Sequence, residues 1–274
     1  MTKYRINKTR FVDQTKTVSF TFDGKKYHGF EGDTLASALL SNGIHLVGRS
    51  FKYHRPRGIM SCGSEEPNAI CQINDNTDLT EPNVRATEIE LYEGLKASSQ
   101  NCWPSLNFDI GGINNLISPF IPAGFYYKTF MWPKSFWKKI YEPLIRLSAG
   151  LGKSPSQPDP DIYDHKHEHC DVLVIGGGIS GIISAKIAAK NNLKTILIED
   201  KNILGGSTIY QNNKNFIIDN QKSNEWLMNE ISELEKLDNL TIKTRTSLAA
   251  FHSYNYLLAK ENVSDHLPLN KKNG

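Results

Sequence analysis

Residues 170–200 read CDVLVIGGGISGIISAKIAAKNNLKTILIED, and this stretch decides the fold class of the second half of the chain. A short apolar run leads into a glycine-rich turn, a run of small residues follows, and a second apolar run ends in acidic residues. This order of strand, helix and strand is that of a βαβ unit. The stretch predicts a strand over 171–175 and a helix over 179–191.

Three glycines of the turn, Gly176, Gly178 and Gly181, have the G-x-G-x-x-G spacing of dinucleotide-binding proteins. The first permits a tight turn, the second lets the backbone approach a pyrophosphate, and the third lets the helix pack closely on the strand. The N-terminus of the helix then offers N–H groups and the positive end of its dipole to the phosphates. The turn predicts a dinucleotide site, with a plain glycine-rich turn as the alternative.

Glu199 lies 23 residues after Gly176, at the end of the second strand. A carboxylate in this place accepts hydrogen bonds from a ribose diol. It also repels a 2′-phosphate, which favours NAD or FAD over NADP. Asp200 and Lys201 follow it and are candidates for the adenosine end of the site. The sequence LGGS at 204–207 resembles the second glycine signature of flavoprotein-type dinucleotide folds.

The chain continues for 75 residues after Glu199 without a second glycine fingerprint. A flavoprotein core with two dinucleotide sites needs on the order of 300 residues. Residues 169–274 are therefore interpreted as the first part of a Rossmann-type FAD/NAD(P)-binding domain, and the chain as a fragment of a longer protein.

The start of the chain has a different pattern. VSFTFDGKKYHGF (18–30) places β-forming residues on both sides of Asp23-Gly24, a dipeptide typical of tight hairpin turns. The next segment predicts a helix over about 34–42, with Asp33 as its N-cap and Gly43 as its C-cap.

Two more strands are predicted from AICQI (69–73) and VRATEIEL (84–91). Hairpin, helix, loop and two strands predict a small α+β domain of the ferredoxin-like β-grasp type over 1–95. The fold class is therefore α+β followed by α/β.

The loop before residue 69 is where plant-type ferredoxins carry C-x4-C-x2-C, with a fourth cysteine further along. That spacing places Ser61, Glu66 and Ala69 at three ligand positions and Thr87 at the fourth, while the nearby cysteines are out of register. We therefore predict no iron–sulfur cluster, and no metal site elsewhere in the chain.

The same loop alternates basic and aromatic residues in RSFKYHRPR (49–57). This pattern can stack on single-stranded nucleic acid, but Glu65 and Glu66 follow and no other basic cluster supports that interpretation. A contact role, in which the arginines pair with carboxylates, is favoured. We expect no nucleic-acid partner.

Residues 96–168 are interpreted as an arm and linker, dense in proline and aromatic residues, with helical periodicity only around 134–148. The mixture of aromatic residues and lysines in FYYKTFMWPKSFWKKIYEP is found in membrane-surface helices. Two prolines interrupt it, so a protein–protein contact is favoured. The alternating histidines of DHKHEHC could chelate a metal, but a linker into the next strand is the favoured interpretation.

The composition excludes some classes of function. A net charge of +3 and a pI near 8.5 are too mild to indicate a polyanion partner. The four cysteines fit no zinc or disulfide framework, and no segment is apolar over the roughly 18 residues that a membrane span needs. These features predict a cytoplasmic chain without a membrane segment.

Six segments together resemble, in order, the N-terminal quarter of the alpha subunit of heterotetrameric sarcosine oxidase. The resemblance covers essentially the whole chain. It implies an oxidoreductase subunit whose complex demethylates sarcosine oxidatively to glycine, with tetrahydrofolate as one-carbon acceptor and oxygen as electron acceptor. The segments are GDTLASALLSNGIHLVGRSFKYHRPRGI (32–59), SEEPNAI (64–70), SQNCWPSLNFDI (99–110), AGFYYKTFMWP (123–133), YEPLIRLSAGLG (141–152) and HCDVLVIGGGISG (169–181).

The resemblance also implies cofactors and partners. NAD would bind to this chain, FAD and FMN would lie in the complete complex, and the beta, gamma and delta subunits would be partners. It names no catalytic residue here. Two alternatives stay open, a non-catalytic docking module and the alpha subunit of a related amino-acid dehydrogenase complex. The candidate cofactor-binding residues are Gly176, Gly178, Ser180, Gly181, Glu199, Asp200, Lys201, Gly206 and Ser207.

Overall fold

The computed structural model describes residues 4–5, 11–74, 79–128, 130–210 and 216–268. The chain forms two compact units, one that runs up to Ile162 and one that spans Tyr163–Asp265. Across the described ranges, no helix combines the length and the apolar character that crossing a membrane requires.

The first unit is built on a five-stranded mixed sheet. The strand order is β2-β1-β7-β5-β6, in which β1 and β7 run parallel and all other neighbours run antiparallel. One helix covers the core of the sheet. The elements are β1 (Asp13–Phe22), β2 (Lys25–Glu31), α1 (Leu35–Ser41), β3 (Gly48–Arg49), β4 (Pro56–Arg57), β5 (Ile70–Ile73), β6 (Glu81–Arg85) and β7 (Lys96–Ser99).

The predicted hairpin is confirmed between β1 and β2. Asp23 and Gly24 both take positive φ angles, 48° and 75°, as a two-residue hairpin turn requires. The Asp23 carboxylate also accepts hydrogen bonds from the backbone N–H and the hydroxyl of Ser99. The turn is thereby tied to the end of β7.

Helix α1 is confirmed, but its predicted N-cap is wrong. Thr34 caps the helix by accepting a hydrogen bond from the Ser37 N–H, and the Ser37 hydroxyl accepts one from the Thr34 N–H. Asp33 directly precedes this N-cap and is buried. Its carboxylate accepts hydrogen bonds from the Arg5 guanidinium and from the Phe30 N–H. Aspartate and threonine are both common N-cap residues. Because the Asp33 carboxylate pairs with Arg5, Thr34 caps the helix.

The strand predicted over 84–91 is only partly confirmed, because β6 ends at Arg85. Beyond it, the carbonyl groups of Ala86 and Ile89 accept hydrogen bonds from the N–H groups of Ala36 and Leu35, each at 2.9 Å. This segment therefore provides acceptors for N–H groups in the first turn of α1, and it does not extend β6.

The arm after β7 contains short helical pieces. The periodicity predicted around 134–148 is confirmed by a π-helical turn, Trp137–Tyr141, that continues into a helix. None of the residues 137–149 is buried. The arm helices are α2 (Ile113–Leu116), α3 (Phe125–Lys128) and α4 (Glu142–Ala149), with 3-10 turns at Ile110–Gly112 and Ser118–Phe120.

The second unit contains a three-stranded parallel sheet of order β12-β9-β8. The predicted βαβ unit is confirmed, with strand and helix bounds that agree within one residue. Helices α5 and α6 contribute Ile182 and Trp226 to one buried cluster with Leu197 of the sheet. The elements are β8 (Val172–Ile175), α5 (Ile179–Lys190), β9 (Thr195–Ile198), β10 (Ile217–Ile218), β11 (Gln221–Lys222), α6 (Ser223–Leu234), β12 (Leu240–Lys243), β13 (Thr246–His252) and β14 (Tyr256–Glu261).

Candidate functional site

The glycine turn lies between β8 and α5, at the carboxyl end of the parallel sheet. Gly176 has a φ of +95°, which side-chain-bearing residues rarely adopt, and its N–H donates to the Ile198 carbonyl at 2.8 Å. Gly178 is the N-cap of α5 and has no side chain that could cap the helix. The N-cap residue therefore provides no side-chain acceptor for the N–H groups of the first turn of α5.

The other glycines of the motif have different surroundings. A Cβ on Gly181 would lie far inside contact distance of the Gly176 carbonyl oxygen, so only glycine lets α5 pack this closely on the turn. A Cβ on Gly178 would meet nothing within 4 Å. The space beside Gly178 is thus open, whereas the space beside Gly181 is filled by backbone.

Glu199 reaches from the end of β9 into the same turn. Its carboxylate accepts a hydrogen bond from the Gly177 N–H at 2.5 Å and one from the Lys201 N–H at 3.0 Å. Burial raises the pKa of the Glu199 carboxyl to about 7, the Asp200 carboxylate adds to the rise, and these two N–H groups oppose it. Protonation of Glu199 is therefore poised near neutral pH.

The second glycine signature packs against the first. The Gly205 N–H donates to the Gly177 carbonyl at 2.7 Å, and a Cβ on Gly206 would lie 3.0 Å from the Cα of Gly178. Ser207 follows on a short 3-10 turn, Gly206–Ile209, and is exposed. The structure therefore brings the two glycine turns and Glu199 together.

The remaining candidates lie at the surface. Ser180 is exposed on the first turn of α5, and Asp200 is exposed beside Glu199. The Lys201 ammonium donates to the Tyr210 hydroxyl at 2.9 Å and lies 4.7 Å from the centre of its ring. Sequence reasoning missed Tyr210, since a tyrosine nine residues further along a loop gives no local signal.

The basic loop of the first unit contacts the arm, but its partners differ from the prediction. The Arg49 guanidinium donates to the Leu106 and His54 carbonyl groups. Lys52 donates to the Pro122 carbonyl at 2.8 Å, and the Tyr53 hydroxyl to that of Ile121 at 3.0 Å. The expected pairing of arginines with carboxylates is thus wrong for Arg49, because irregular backbone in the arm supplies carbonyl acceptors.

His54 connects three parts of the first unit. Its Nδ1 lies 2.7 Å from the Asp109 carboxylate, and its Nε2 lies 3.3 Å from the Ser148 carbonyl oxygen. Both partners are hydrogen-bond acceptors, so His54 links the basic loop to the segment around Asp109 and to the end of α4. No local pattern predicts this contact, because Asp109 and Ser148 lie far from His54 along the chain.

Replacing Arg49 by lysine is expected to loosen the packing of residues 103–112. The planar guanidinium makes three hydrogen bonds to two carbonyl groups, and a single ammonium can make fewer of them. We expect a loss of about 1–2 kcal/mol in the free energy of unfolding, measured by urea titration.

The exposed Arg57, on the paired strand β4, supplies the control for this prediction. Arg57→Lys makes the same chemical change and should leave the urea midpoint in place. Equal losses in the two variants would contradict the role given to Arg49.

Glu66 lies in the loop where ferredoxin ligands were sought. Only 1% of this residue is exposed, and its carboxylate accepts hydrogen bonds from four backbone N–H groups, those of Met60, Ser61, Asn68 and Ala69. Burial by itself would raise the pKa of Glu66, but the four donors outweigh it and the pKa is lowered. A single buried carboxylate thus organises the whole loop.

The other ligand positions are filled by side chains without thiols. The Thr87 hydroxyl donates to the Gly63 carbonyl at 2.8 Å. All four cysteines are free, and burial, followed by the Asp23 charge, raises the pKa of the Cys71 thiol to about 12. In the part of the chain that the structure describes, no three His, Cys, Asp or Glu residues form a group that could hold a metal ion.

Two protein families match the chain, one for each unit. Residues 15–102 match a family described as 2Fe-2S iron-sulfur cluster binding domain, and residues 171–261 match one described as FAD dependent oxidoreductase. The first match contradicts our prediction of no iron–sulfur cluster, which is therefore corrected. That prediction used the spacing of four positions, whereas the match rests on 88 residues. The four positions themselves carry Ser61, Glu66, Ala69 and Thr87, none of which supplies a thiolate.

The fold is also seen in a solved structure. L-proline dehydrogenase from P. horikoshii superposes with a TM-score of 0.52 and 22% identity, over 90% of this chain and 37% of that one. At this identity the likeness shows the fold alone. It agrees with a layout of α+β followed by α/β.

Curated relatives are alpha subunits of one enzyme. The sarcosine oxidase alpha subunit of Rhizobium meliloti is 48% identical over 97% of this chain and 27% of its own length. That of Corynebacterium sp. strain U-96 is 28% identical over 93% of this chain and 22% of its own length. The chain thus spans about a quarter of the length of these relatives. Over nearly its whole length the chain is similar to sarcosine oxidase alpha subunits, and it carries a ferredoxin-like domain followed by an FAD-oxidoreductase domain.

Proposed function

We propose that the second unit binds a dinucleotide, NAD, within the alpha subunit of a sarcosine-oxidising complex. The observation that carries the proposal is the meeting of Glu199 with the open, uncapped turn at Gly178. A dinucleotide needs N–H donors for its pyrophosphate and a carboxylate acceptor for its ribose diol, and the turn and Glu199 offer groups of these two kinds.

The residues of this chain would bind and orient the ligand. The N–H groups of the first turn of α5 donate to the pyrophosphate, and the open side of Gly178 lets it approach the backbone. Glu199 accepts from the ribose hydroxyls. Lys201 and Tyr210 form one wall near the adenosine end, and Ser180 and Ser207 offer hydroxyl groups at the rim. The dinucleotide would supply hydride-transfer chemistry when bound.

The activity of the complete complex is part of the same proposal. It would demethylate sarcosine oxidatively to glycine, with tetrahydrofolate as one-carbon acceptor and oxygen as electron acceptor. The beta, gamma and delta subunits would be partners, and the cytoplasm is the proposed location. The division into 1–95, 96–168 and a first part of a Rossmann-type domain over 169–274 is likewise proposed. The support is the 48% identity to the Rhizobium meliloti subunit.

FAD is the second candidate ligand, because residues 171–261 match a family of FAD dependent oxidoreductases. The adenosine and pyrophosphate groups are common to both dinucleotides, so the glycine turn and Glu199 serve either. The two differ in the flavin, which absorbs visible light.

The identity of the ligand can be measured directly. The chain is purified, denatured, and the released nucleotide is separated by chromatography and identified by absorbance. We expect NAD near one equivalent after incubation with excess NAD. If FAD is released instead, FAD is the ligand. If neither NAD nor FAD is released, dinucleotide binding is refuted. Sarcosine-dependent peroxide formation, assayed after assembly with the other subunits, tests the wider activity.

Dinucleotide binding is expected to strengthen by about tenfold between pH 6 and pH 8, because the raised pKa keeps Glu199 largely protonated at the lower pH. The ionised carboxylate is the stronger acceptor for ribose hydroxyls. Titration calorimetry at three pH values measures the change. Glu199→Gln should bind weakly at every pH, and a pH dependence that survives in this variant would assign the effect to another group.

A further inference from the structure

A cavity of about 180 Å³ lies in the first unit, lined by Arg49 and Arg57 of the basic loop together with Asn68 and Gly150. We call it the basic cavity. Its volume is well above the ~10–15 Å³ that one water needs, and it is below the ~300 Å³ at which pockets for drug-sized ligands begin. The basic cavity therefore suits a small molecule.

The basic cavity has positive charge and no acidic residue in the part of its lining that the structure describes. The Arg57 side chain is exposed, and among the described residues it has no hydrogen-bond or ion-pair partner. The Arg49 guanidinium uses three of its five N–H groups, and the carbonyl groups that accept them carry no charge. Two like charges that line one cavity repel each other unless an anion lies between them.

Neutral donors add to the two guanidinium groups. The Ser50 hydroxyl oxygen accepts a hydrogen bond from the Arg55 N–H at 3.0 Å, which leaves its own O–H as a donor. The Asn68 NH2 group lies 3.7 Å from the Met60 sulfur, which is a weak acceptor. Donors thus come from β3, from β4 and from the loop that Glu66 organises. Such an arrangement suits an oxyanion that can accept from several directions.

The backbone holds Arg57 in place and leaves space beside it. Gly48 and Arg57 are paired residues of β3 and β4, and the Val47 N–H donates to the Arg57 carbonyl at 3.0 Å. A Cβ on Gly48 would come no closer than 3.2 Å to the Asn68 carbonyl oxygen. The missing side chain of Gly48 therefore keeps the neighbourhood of Arg57 open.

We propose that the basic cavity binds a phosphate monoester with a small apolar body. Such an ester carries a charge of about −1.5 to −2 at pH 7, which matches the two arginines. A carboxylate side chain from another part of the protein brings a single charge and would leave one guanidinium unmatched. Phe51, which is 47% exposed, and Ile70 line the same cavity and supply apolar contacts for the body of the ester.

This site does not depend on the proposed dinucleotide site. All residues that line the basic cavity belong to the first unit, whereas the glycine turn belongs to the second. The two sites can therefore be tested separately on the same chain.

Phenyl phosphate is the probe, and titration calorimetry measures its affinity for the purified chain. We expect a Kd at or below about 1 mM. Inorganic phosphate and benzoate should each bind several-fold more weakly, because the first lacks the apolar body and the second lacks the second negative charge.

Variants of Arg57 locate the bound anion. Arg57→Gln should weaken the binding of phenyl phosphate at least tenfold, and Arg57→Lys, which keeps the charge but loses the planar fork, should weaken it several-fold. Lys26→Gln is the control, since it removes the same charge from an exposed position on β2. It should bind phenyl phosphate like the unchanged chain. Circular dichroism melting curves establish that all variants are folded.

Four results would overturn the proposal. The folded chain could fail to bind phenyl phosphate, or Arg57→Gln could bind it as tightly as the unchanged chain does. Benzoate could bind more tightly than phenyl phosphate, which would make the ligand a carboxylate. Gly178→Ala could lose phenyl phosphate binding, which would assign the anion to the glycine turn. NAD binding is measured on the same samples, so a failure of NAD binding alone refutes the proposed function and leaves the basic cavity as the anion site.

Discussion

Replacing Glu66 by alanine is expected to lower the free energy of unfolding of the first unit by about 3 kcal/mol, because four backbone donors lose their acceptor at once. Two of these N–H groups bind each carboxylate oxygen. Urea titration followed by circular dichroism measures the loss. Glutamine is expected to be no adequate replacement, because its NH2 group would face two N–H donors.

Glu65 supplies the control, since it is the neighbouring residue, carries the same charge and is exposed. Glu65→Gln changes the net charge as Glu66→Gln does and should leave the unfolding midpoint unchanged. If the two variants lost equal stability, the loop would not depend on the contacts of Glu66.

The same group makes stability depend on pH. The pKa of Glu66 is lowered in the folded chain, so its contribution is fully present above its ordinary value near 4.5 and is lost as the pH falls through the lowered pKa. The stability difference between the unchanged chain and Glu66→Gln should therefore be largest at neutral pH and shrink in acid. A difference that stayed constant down to about pH 2 would contradict this account.

Two glycine-to-alanine changes in the second unit are expected to differ in effect: one lowers stability, and the other lowers dinucleotide affinity without lowering stability. Gly181→Ala forces a methyl group against the Gly176 carbonyl and should cost about 1–3 kcal/mol of stability, with loss of dinucleotide binding as a consequence. Gly178→Ala meets no atom within 4 Å, so the fold should be unaffected. Its methyl group would occupy the side from which the pyrophosphate approaches, and we expect binding to weaken at least tenfold.

The comparison separates packing from ligand contact. Melting temperature and NAD affinity are measured for both variants, with Ser184→Ala, on the exposed side of α5, as the control that should change neither. If Gly178→Ala bound NAD as tightly as the unchanged chain, NAD would not contact the backbone at this turn. A Gly181→Ala variant of full stability would show that α5 can move away from β8 without cost.

The sequence predicted those elements whose signals are local. The βαβ unit at 171–198, the hairpin at Asp23-Gly24 and helix α1 each depend on residues within a few positions of one another. The meeting of Gly177 with Glu199 was also predictable, since parallel strands bring their carboxyl ends to one edge.

Other features depend on contacts that no local pattern shows. Arg5 displaces Asp33 from the capping role, and Arg49 finds carbonyl groups of a segment 57 residues away. The cluster prediction failed for a related reason, because it used the register of one loop alone. The role of Glu66 as acceptor for four N–H groups becomes visible only when the loop is folded.

Hydrogen–deuterium exchange with and without NAD tests the central claim most directly, since it reports on the dinucleotide site amide by amide. We predict slower exchange upon binding at residues 176–182 and at Lys201, with no change in β1 or β2 of the first unit. Binding without protection at the glycine turn, or protection confined to the first unit, would contradict the assignment of the dinucleotide to Gly178 and Glu199.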